Sequence, residues 1–149
     1  MTRISQNADE AAIRRLIAEM AAATAAKDVD GALRHNTPDL VRYDLAPPLA
    51  RAGADALDRD GLADWFATWR GPLGYETRDI EIVSSGDIAC CHGFVRISGV
   101  KTDGARADVW ARQTLCLRKA DGAWKVFHEY MSVPFYMDGS LKAAVDLVP

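Results

Sequence analysis

The last third of the chain constrains the fold most, because Asp108–Phe135 has the pattern of a long β-hairpin. Two runs rich in β-branched and aromatic residues flank Lys119–Ala123, which contains the turn-forming pair Asp121-Gly122. Successive side chains of a strand point to opposite faces, so residues of one phase share a face. The in-phase polar and aromatic residues are Trp110, Arg112, Thr114 and Cys116 on the first arm, and Trp124, Val126, His128, Tyr130 and Ser132 on the second.

Two registers are compatible with this hairpin. A two-residue Asp121-Gly122 turn shifts the pairing by one residue relative to a three-residue Ala120–Gly122 loop, and so divides the polar set between the two faces. We favour the three-residue loop, because it gathers the polar and aromatic groups on one wall that suits a small-molecule pocket. It places three pairs opposite each other: Arg118 with Trp124, Thr114 with His128, and Arg112 with Tyr130.

Length and composition favour one globular domain over residues 1–149, with 49% hydrophobic and 26% charged residues. A net charge of −3 and the lack of a basic cluster argue against nucleic acid as a partner. No apolar run approaches the roughly 20 residues that cross a bilayer, and Asp9 and Glu10 do not fit a signal peptide. Three cysteines, Cys90, Cys91 and Cys116, have no metal-site spacing and cannot all pair internally. We therefore expect a cytoplasmic location and no membrane partner.

The order of predicted elements indicates an α+β fold, with helices first and an antiparallel meander after them. Asn7 and Glu10 form a capping box for a helix that runs to about Lys27, and Asp28 caps a short helix to about His35. Leu40–Leu45 reads as a strand. A third helix covers residues 57–69 and is stopped by Gly71-Pro72. Four further strands are predicted at about residues 76–84, 88–100, 107–118 and 124–133.

Three sequence motifs resemble the SnoaL-like, ketosteroid isomerase-like members of the nuclear transport factor 2-like superfamily. The most specific is the hairpin string Arg112-x-Thr114, Arg118-Lys119-x-Asp121-Gly122-x-Trp124-Lys125-Val126, and His128-Glu129-x-x-Ser132-Val133-Pro134. Gly86–Ala89 followed by His92, and Asp44–Leu49, are also similar to the group. The resemblance implies a cone-shaped fold, in which three helices pack on a curved, mainly antiparallel sheet and enclose a pocket. It also implies a homodimer formed through the outer face of the sheet.

The resemblance to ketosteroid isomerases implies that Asp44 occupies the position of their general base. It places Met20 where those enzymes have an oxyanion tyrosine, and Arg112 near their protonated aspartate. Methionine donates no hydrogen bond and arginine stays charged, so the known oxyanion hole is missing. Simple alternation along the strand points Tyr43 inward and Asp44 outward, but a bend before Pro47-Pro48 would reverse this.

Two residues of the polar wall carry the candidate chemistry. Histidine as a residue type can act as an acid, a base or a polar clamp, so His128 is a candidate for these roles, with a hydrogen-bonded structural histidine as the alternative. Arg112 is a candidate clamp for a substrate carboxylate or enolate. Its alternatives are an ion pair with Asp44, Asp108 or Glu129, or a place at the exposed rim. We predict that Thr114, Tyr130, Tyr43, Trp65 and His92 also line the pocket, and that neither a metal nor a cofactor is required.

Two classes of function follow. The first is a cofactor-independent isomerase, cyclase or hydrolase that transfers a proton on a small apolar carbonyl or carboxylate compound. The second is a non-catalytic ligand-binding or dimeric assembly module, as in the association domain of calcium/calmodulin-dependent protein kinase II. We predict a dimer through the hairpin face opposite the polar wall. That face carries Ala111, Gln113, Leu115, Leu117, Lys125, Phe127, Glu129, Met131 and Val133.

Overall fold

A computed structural model describes residues 3–149 and shows an α+β fold, as the sequence predicts, with helices packed on one open, mixed sheet. The helices are α1 (Arg3–Ala25), α2 (Val29–Leu33) and α3 (Arg59–Ala67). The strands are β1 (Asn36–Tyr43), β2 (Arg51–Ala52), β3 (Trp69–Ser85), β4 (Ile88–Lys101), β5 (Arg106–Ala120) and β6 (Ala123–Ser132). They form a six-stranded sheet in the order β2-β1-β6-β5-β4-β3, in which β1 and β6 are parallel and the other neighbours antiparallel. No helix within residues 3–149 combines the length and the apolar character that a membrane crossing requires.

The two short helices begin at aspartate caps. The carboxylate of Asp28 accepts a hydrogen bond from the Gly31 amide at 3.1 Å, and that of Asp58 accepts one from the Gly61 amide at 2.9 Å. These bonds confirm the predicted cap of α2. The predicted start of α1 at Asn7 is wrong, because the helix already begins at Arg3.

The strands β1 and β3 begin earlier in the chain than the sequence predicts. The third helix ends at Ala67, and Trp69 already belongs to β3. Gly71 and Pro72 do not end an element, because the pairing of β3 with β4 shifts register between Arg70 and Leu73 and so accommodates them. This early start of β3 brings Tyr75 into the sheet.

The largest part of the core lies between α1 and one face of the sheet, which we call the inner face. Ile13, Leu16 and Ile17 project from α1 and are buried. Their partners on the inner face are Leu40, Ala89, Cys91, Leu115, Leu117, Trp124 and Val126. Truncating one such buried aliphatic side chain to alanine typically costs about 2–5 kcal/mol, so this contact holds the helix on the sheet.

The predicted three-residue hairpin loop is wrong. Ala120 pairs with Ala123 and Arg118 pairs with Lys125, so only Asp121 and Gly122 form the turn. Both have positive φ values, 51° and 76°, as a two-residue type I′ turn requires. The backbone geometry of the Asp-Gly turn therefore sets the register of the hairpin. The grouping of polar side chains on one face does not set it.

A β-bulge then changes the phase of β6. Leu117 pairs with Val126 but Cys116 pairs with His128, so Phe127 is the extra residue. Before the bulge, Trp124 and Val126 are buried on the inner face. After it, residues 128, 130 and 132 oppose Cys116, Thr114 and Arg112 on the other side of the sheet, which we call the outer face.

The bulge also corrects the predicted dimer surface. Ala111, Gln113, Leu115, Leu117, Glu129 and Met131 are buried on the inner face and are not available to a second subunit. A dimer through the outer face stays a prediction. The residues on this face are, however, those that the sequence analysis assigned to the pocket.

A buried polar contact ties α1 to the hairpin. The Asp9 carboxylate accepts a hydrogen bond from Trp124 Nε1 at 3.0 Å and lies 2.6 Å from Lys119 Nζ. The hydrogen bond to Lys119 holds the pKa of Asp9 below its ordinary value, against the opposing effect of burial. The ionised form of Asp9 is thus favoured by folding.

We predict that Asp9→Asn lowers the free energy of unfolding by about 1–3 kcal/mol, because Lys119 and Trp124 lose their charged acceptor. Since folding lowers the pKa of Asp9, its contribution is complete above the ordinary value of 3.8 and disappears as pH falls through the lower folded value. Urea titrations between pH 7 and pH 3 measure both effects. Asp64→Asn, at an exposed position of α3, is the control. Equal stabilities of the two variants at neutral pH would contradict the prediction.

Candidate functional site

A cavity of about 330 Å³ lies between the helices and the inner face of the sheet. This volume is in the range of small-ligand pockets. Its apolar walls come from α1, α3 and three strands, and include Ile17, Met20, Leu62, Trp65, Ile97 and Met131. Such a surface favours an apolar ligand. The polar groups of the wall then decide which polar atoms of the ligand can form hydrogen bonds.

An ion pair contributes to one wall of the cavity. Arg42 of β1 and Glu129 of β6 are direct neighbours in the parallel pair, and their Nη2 and Oε2 atoms lie 3.3 Å apart. Arg42 Nη1 also donates to the carbonyl oxygen of Ala56 at 3.0 Å. Only 18% of the Arg42 side chain and 9% of the Glu129 side chain are exposed. Arg42 Nε is buried without a hydrogen-bond partner among the described residues, so this cation has donor capacity to spare.

Tyr75 and Gln113 form a second polar group on the cavity wall. They come from β3 and β5, and the Gln113 side chain lies close enough to the phenol to act on the pKa of Tyr75, which it lowers. Burial raises the pKa of Tyr75 far above its usual range, and the negative charge of Glu129 adds to the rise. Tyr75 therefore stays a neutral phenol at any physiological pH and can donate its proton only as a hydrogen bond.

Asp44 lies at the cavity mouth, directly after β1. It has the same phase as Leu40, which is fully buried on the inner face, and as Arg42. The predicted alternation, with Tyr43 inward and Asp44 outward, is therefore wrong. Asp44 Oδ1 accepts a hydrogen bond from the Leu45 amide at 2.7 Å, which orients the carboxylate as the chain turns into the Ala46-Pro47 segment of the mouth.

The structure brings two of the eight predicted site residues to the cavity, Asp44 and Trp65. The other six lie on the outer face: Tyr43, His92, Arg112, Thr114, His128 and Tyr130. The physical reason is that the apolar face of β4 and β5, with Cys91, Leu115 and Leu117, packs against α1, so the polar face of these strands points outward. The bulge at Phe127 then places His128 and Tyr130 on the same outer face. Arg112, Thr114 and His128 still share a face, but it is the face opposite the cavity. Any chemical role of these six residues stays a prediction.

The contacts of His128 and Arg112 are those of a sheet surface. His128 Nδ1 lies 2.9 Å from the carbonyl oxygen of Val41 and, because a carbonyl only accepts, carries a proton there. The imidazole meets the Tyr43 ring edge-on at 4.9 Å between centroids. Arg112 Nε donates to Ser132 Oγ at 3.1 Å. His128 thus fastens β6 to β1, which corresponds to the structural alternative.

The cavity residues that sequence reasoning missed include Arg42, Tyr75, Gln113 and Glu129. Tyr75 was missed because the predicted strand began one residue after it. Gln113 and Glu129 were assigned to the dimer face, because the face of the hairpin that meets the helices was taken for the outer one. One signal was present in the sequence, because Asp121-Gly122 is the strongest short-range indicator of a two-residue turn.

Within residues 3–149, no three histidine, cysteine, aspartate or glutamate side chains are grouped so that they could hold a metal ion. The polar groups of the cavity are instead hydrogen-bond donors and carboxylates.

We predict that Arg42→Met lowers the free energy of unfolding by about 3 kcal/mol, because Glu129 is left as a buried charge without its partner. Arg42→Met combined with Glu129→Gln is expected to cost less than the sum of the two single changes, since both members of the pair are then removed. Urea unfolding of the four proteins of this cycle is the measurement. Arg59→Met, which breaks the exposed pair with Asp30, is expected to cost no more than about 1 kcal/mol. Strict additivity in the Arg42–Glu129 cycle would contradict the ion pair.

The SnoaL-like domain family matches residues 13–136, and the chain belongs to this family. Its fold is similar to that of an NTF2-like protein of unknown function from Pseudomonas putida KT2440, with 28% identity, a TM-score of 0.85, and coverage of 96% of this chain and 98% of that one. A protein from Novosphingobium aromaticivorans that is provisionally named an aromatic ring hydroxylase is 25% identical, with a TM-score of 0.75 and coverage of 98% of both chains.

A second protein from Novosphingobium aromaticivorans, provisionally named a scytalone dehydratase, shares the fold at 16% identity. Its TM-score is 0.79, with coverage of 96% of this chain and 95% of that chain. No curated protein is similar enough to this chain to count as a match. The comparisons therefore establish the family and the fold.

Proposed function

We propose that the chain is an enzyme that transfers a proton, without a cofactor, on a small apolar compound carrying a carbonyl or carboxylate oxygen. One observation carries this proposal: a largely apolar cavity holds a neutral phenol next to an amide and an arginine–glutamate pair in its wall, and the carboxylate of Asp44 among the charged residues that line it. An apolar ligand would fill the walls, and its oxygen would find donors at only a few positions.

Tyr75 is the proposed donor to the ligand oxygen. When the Gln113 amide nitrogen faces the phenol oxygen, the phenol proton is free to point at a carbonyl. A neutral donor in a buried site stabilises the negative charge that develops on an enolate oxygen. Tyr75 would thus take over, from strand β3, the role of the tyrosine that Met20 of helix α1 replaces.

Asp44 is the proposed base. Its carboxylate would remove a proton from the carbon next to the carbonyl, and the electron pair of the broken C–H bond would move onto the carbonyl oxygen held by Tyr75. Return of the proton at another carbon gives isomerisation. If the β-carbon carries a hydroxyl group, the enolate electron pair instead forms the C=C bond as the carbonyl is restored, and the hydroxyl leaves as water with the proton that Asp44 took up. This is dehydration, a reaction class that matches the provisional name of the Novosphingobium dehydratase.

Arg42 and Glu129 set the charge of the site. Because the pair is internally neutralised, it adds little net attraction for an anion. We infer that the preferred ligands are neutral carbonyl compounds.

We predict that Asp44→Asn lowers kcat for small enones and β-hydroxy ketones by about 10²–10⁴-fold, because the base is lost. Tyr75→Phe is expected to lower kcat by about 10²–10³-fold, because the enolate loses its donor. Ultraviolet absorbance of the conjugated enone reports turnover, and tryptophan quenching reports binding next to Trp65. Tyr130→Phe, which removes the same hydroxyl from the outer face, is the matched control and should keep full activity.

The variant His128→Gln tests whether the reaction takes place in the cavity or on the outer face of the sheet. Retained activity in His128→Gln, with activity lost in Asp44→Asn, is the expected result. The reverse outcome would move the chemistry to the outer face and contradict the proposal.

A second candidate function, dimeric assembly, is favoured by the exposed aromatic groups of the outer face. Tyr43 and Tyr130 are 41% and 45% exposed, and their rings meet edge-on at 5.9 Å between centroids. Tyrosine is enriched at the centres of protein interfaces, because it offers a large apolar body with a polar tip. The family resemblance implies the same face.

We predict that Tyr43→Glu combined with Tyr130→Glu dissociates a dimer at micromolar concentration, because two like-charged patches would then meet across the two-fold axis. Light scattering coupled to gel filtration measures the mass. Leu49→Glu, at a fully exposed loop position, is the control and should leave the mass unchanged. A wild-type monomer at this concentration would contradict dimerisation.

A further inference from the structure

Two of the three cysteines face each other across neighbouring strands. Cys90 of β4 and Cys116 of β5 are direct partners in the antiparallel register, so their side chains are neighbours on one face of the sheet. Both lie on the outer face, where Cys90 is exposed and Cys116 partly buried. Cys91 points the other way and is buried in the core against α1. One pair of thiols is thus accessible to solvent, whereas the third thiol is buried in the core.

The geometry of this pair fits a disulfide bond. Directly opposed residues of antiparallel strands have Cα atoms about 4.5–5.5 Å apart. Disulfides span Cα separations of about 4.4–6.8 Å. The two sulfur atoms therefore need only side-chain rotation and a small approach of the strands in order to bond.

We propose that Cys90 and Cys116 form a reversible redox site, which is oxidised to an intramolecular disulfide by a small-molecule disulfide. The Cys90 thiolate attacks one sulfur of RSSR, forms a mixed disulfide and releases RS⁻. The Cys116 thiolate then attacks the Cys90 sulfur of this mixed disulfide, which closes the Cys90–Cys116 bond and releases the second RS⁻. The two protein thiol protons end on the two released RSH molecules, so RSSR is reduced as the protein is oxidised.

The order of the two attacks follows from exposure. Cys90 is accessible to a dissolved disulfide, whereas Cys116 is partly covered. Burial raises the pKa of the Cys116 thiol, and the neighbouring Cys90 raises it further, so Cys116 is the weaker thiolate source. Cys116 is suited to the second step, which is intramolecular and benefits from the high effective concentration of a direct neighbour.

Reversibility follows from the position of the pair on the sheet surface. Exposed disulfides have higher reduction potentials than buried structural ones and are reduced more readily. The bond would fasten β4 to β5 directly behind Ala89 and Leu117, which pack against α1. Oxidation would therefore stiffen the wall of the core without placing a group in the cavity.

The test uses the native Cys91→Ser protein, which retains only the proposed pair. This background is needed because Cys90 and Cys91 fall in one tryptic peptide, residues 79–96, whereas Cys116 falls in residues 113–118. Incubation with oxidised glutathione should join the two peptides, with the loss of two hydrogen atoms from the intact mass and no retained glutathione. Thermal unfolding should show a Tm raised by about 5 °C, which dithiothreitol reverses.

Variants separate the proposed site from incidental oxidation. In the same background, Cys116→Ser should stop at the glutathione adduct on Cys90, and Cys90→Ser should react far more slowly. Three outcomes would overturn the proposal: a stable Cys90 adduct in the Cys91→Ser protein, protection of Cys90 in the native fold when urea-unfolded chain reacts, or a Cys91–Cys116 linkage in the wild-type protein.

Discussion

The register of the closing hairpin is the constraint on which the site depends. Asp121 and Gly122 adopt positive φ values that fit a two-residue turn, and the extra residue Phe127 then shifts the phase of β6 by one. Without the bulge, Glu129 would share a face with Thr114, and His128 would point into the helix-covered side. One extra residue thus decides whether a carboxylate or an imidazole is on the cavity side.

The cavity obtains its polarity from groups that have neighbours of complementary charge or polarity within the protein. Arg42 is paired with Glu129, and Tyr75 lies next to Gln113, so part of the desolvation cost of each group is offset before a ligand arrives. Such preorganised donors need little reorientation when charge develops on a ligand oxygen. Asp44 differs, because it lies at the exposed mouth and keeps contact with solvent.

The fold could be predicted from the sequence because its signals are local. The Asp28 cap, the apolar spacing of α1 and the alternation in β4 and β5 each act over a few residues. The site was harder to predict, because it depends on which face of the sheet the odd-numbered and even-numbered residues of a strand occupy. A single bulge reverses this assignment for the rest of the strand. The resemblance to a known family pointed to Asp44. Tyr75 was missed, because the strand was predicted to begin only after Gly71-Pro72, at about residue 76. Core packing kept that strand continuous where local propensity ends it.

The parallel pairing of β1 with β6 has a consequence for how the pocket comes into being. His128 and Val41, which are 87 positions apart in the chain, are joined by a hydrogen bond, and the adjacent positions carry Glu129 and Arg42. The strands from β3 to β6 pair with near neighbours in the chain, whereas the pairing of β1 with β6 closes a long loop and so costs more chain entropy. Glu129 has its charged partner only when β1 is in place. The polar wall of the cavity is therefore complete only in a chain that has joined these two distant strands.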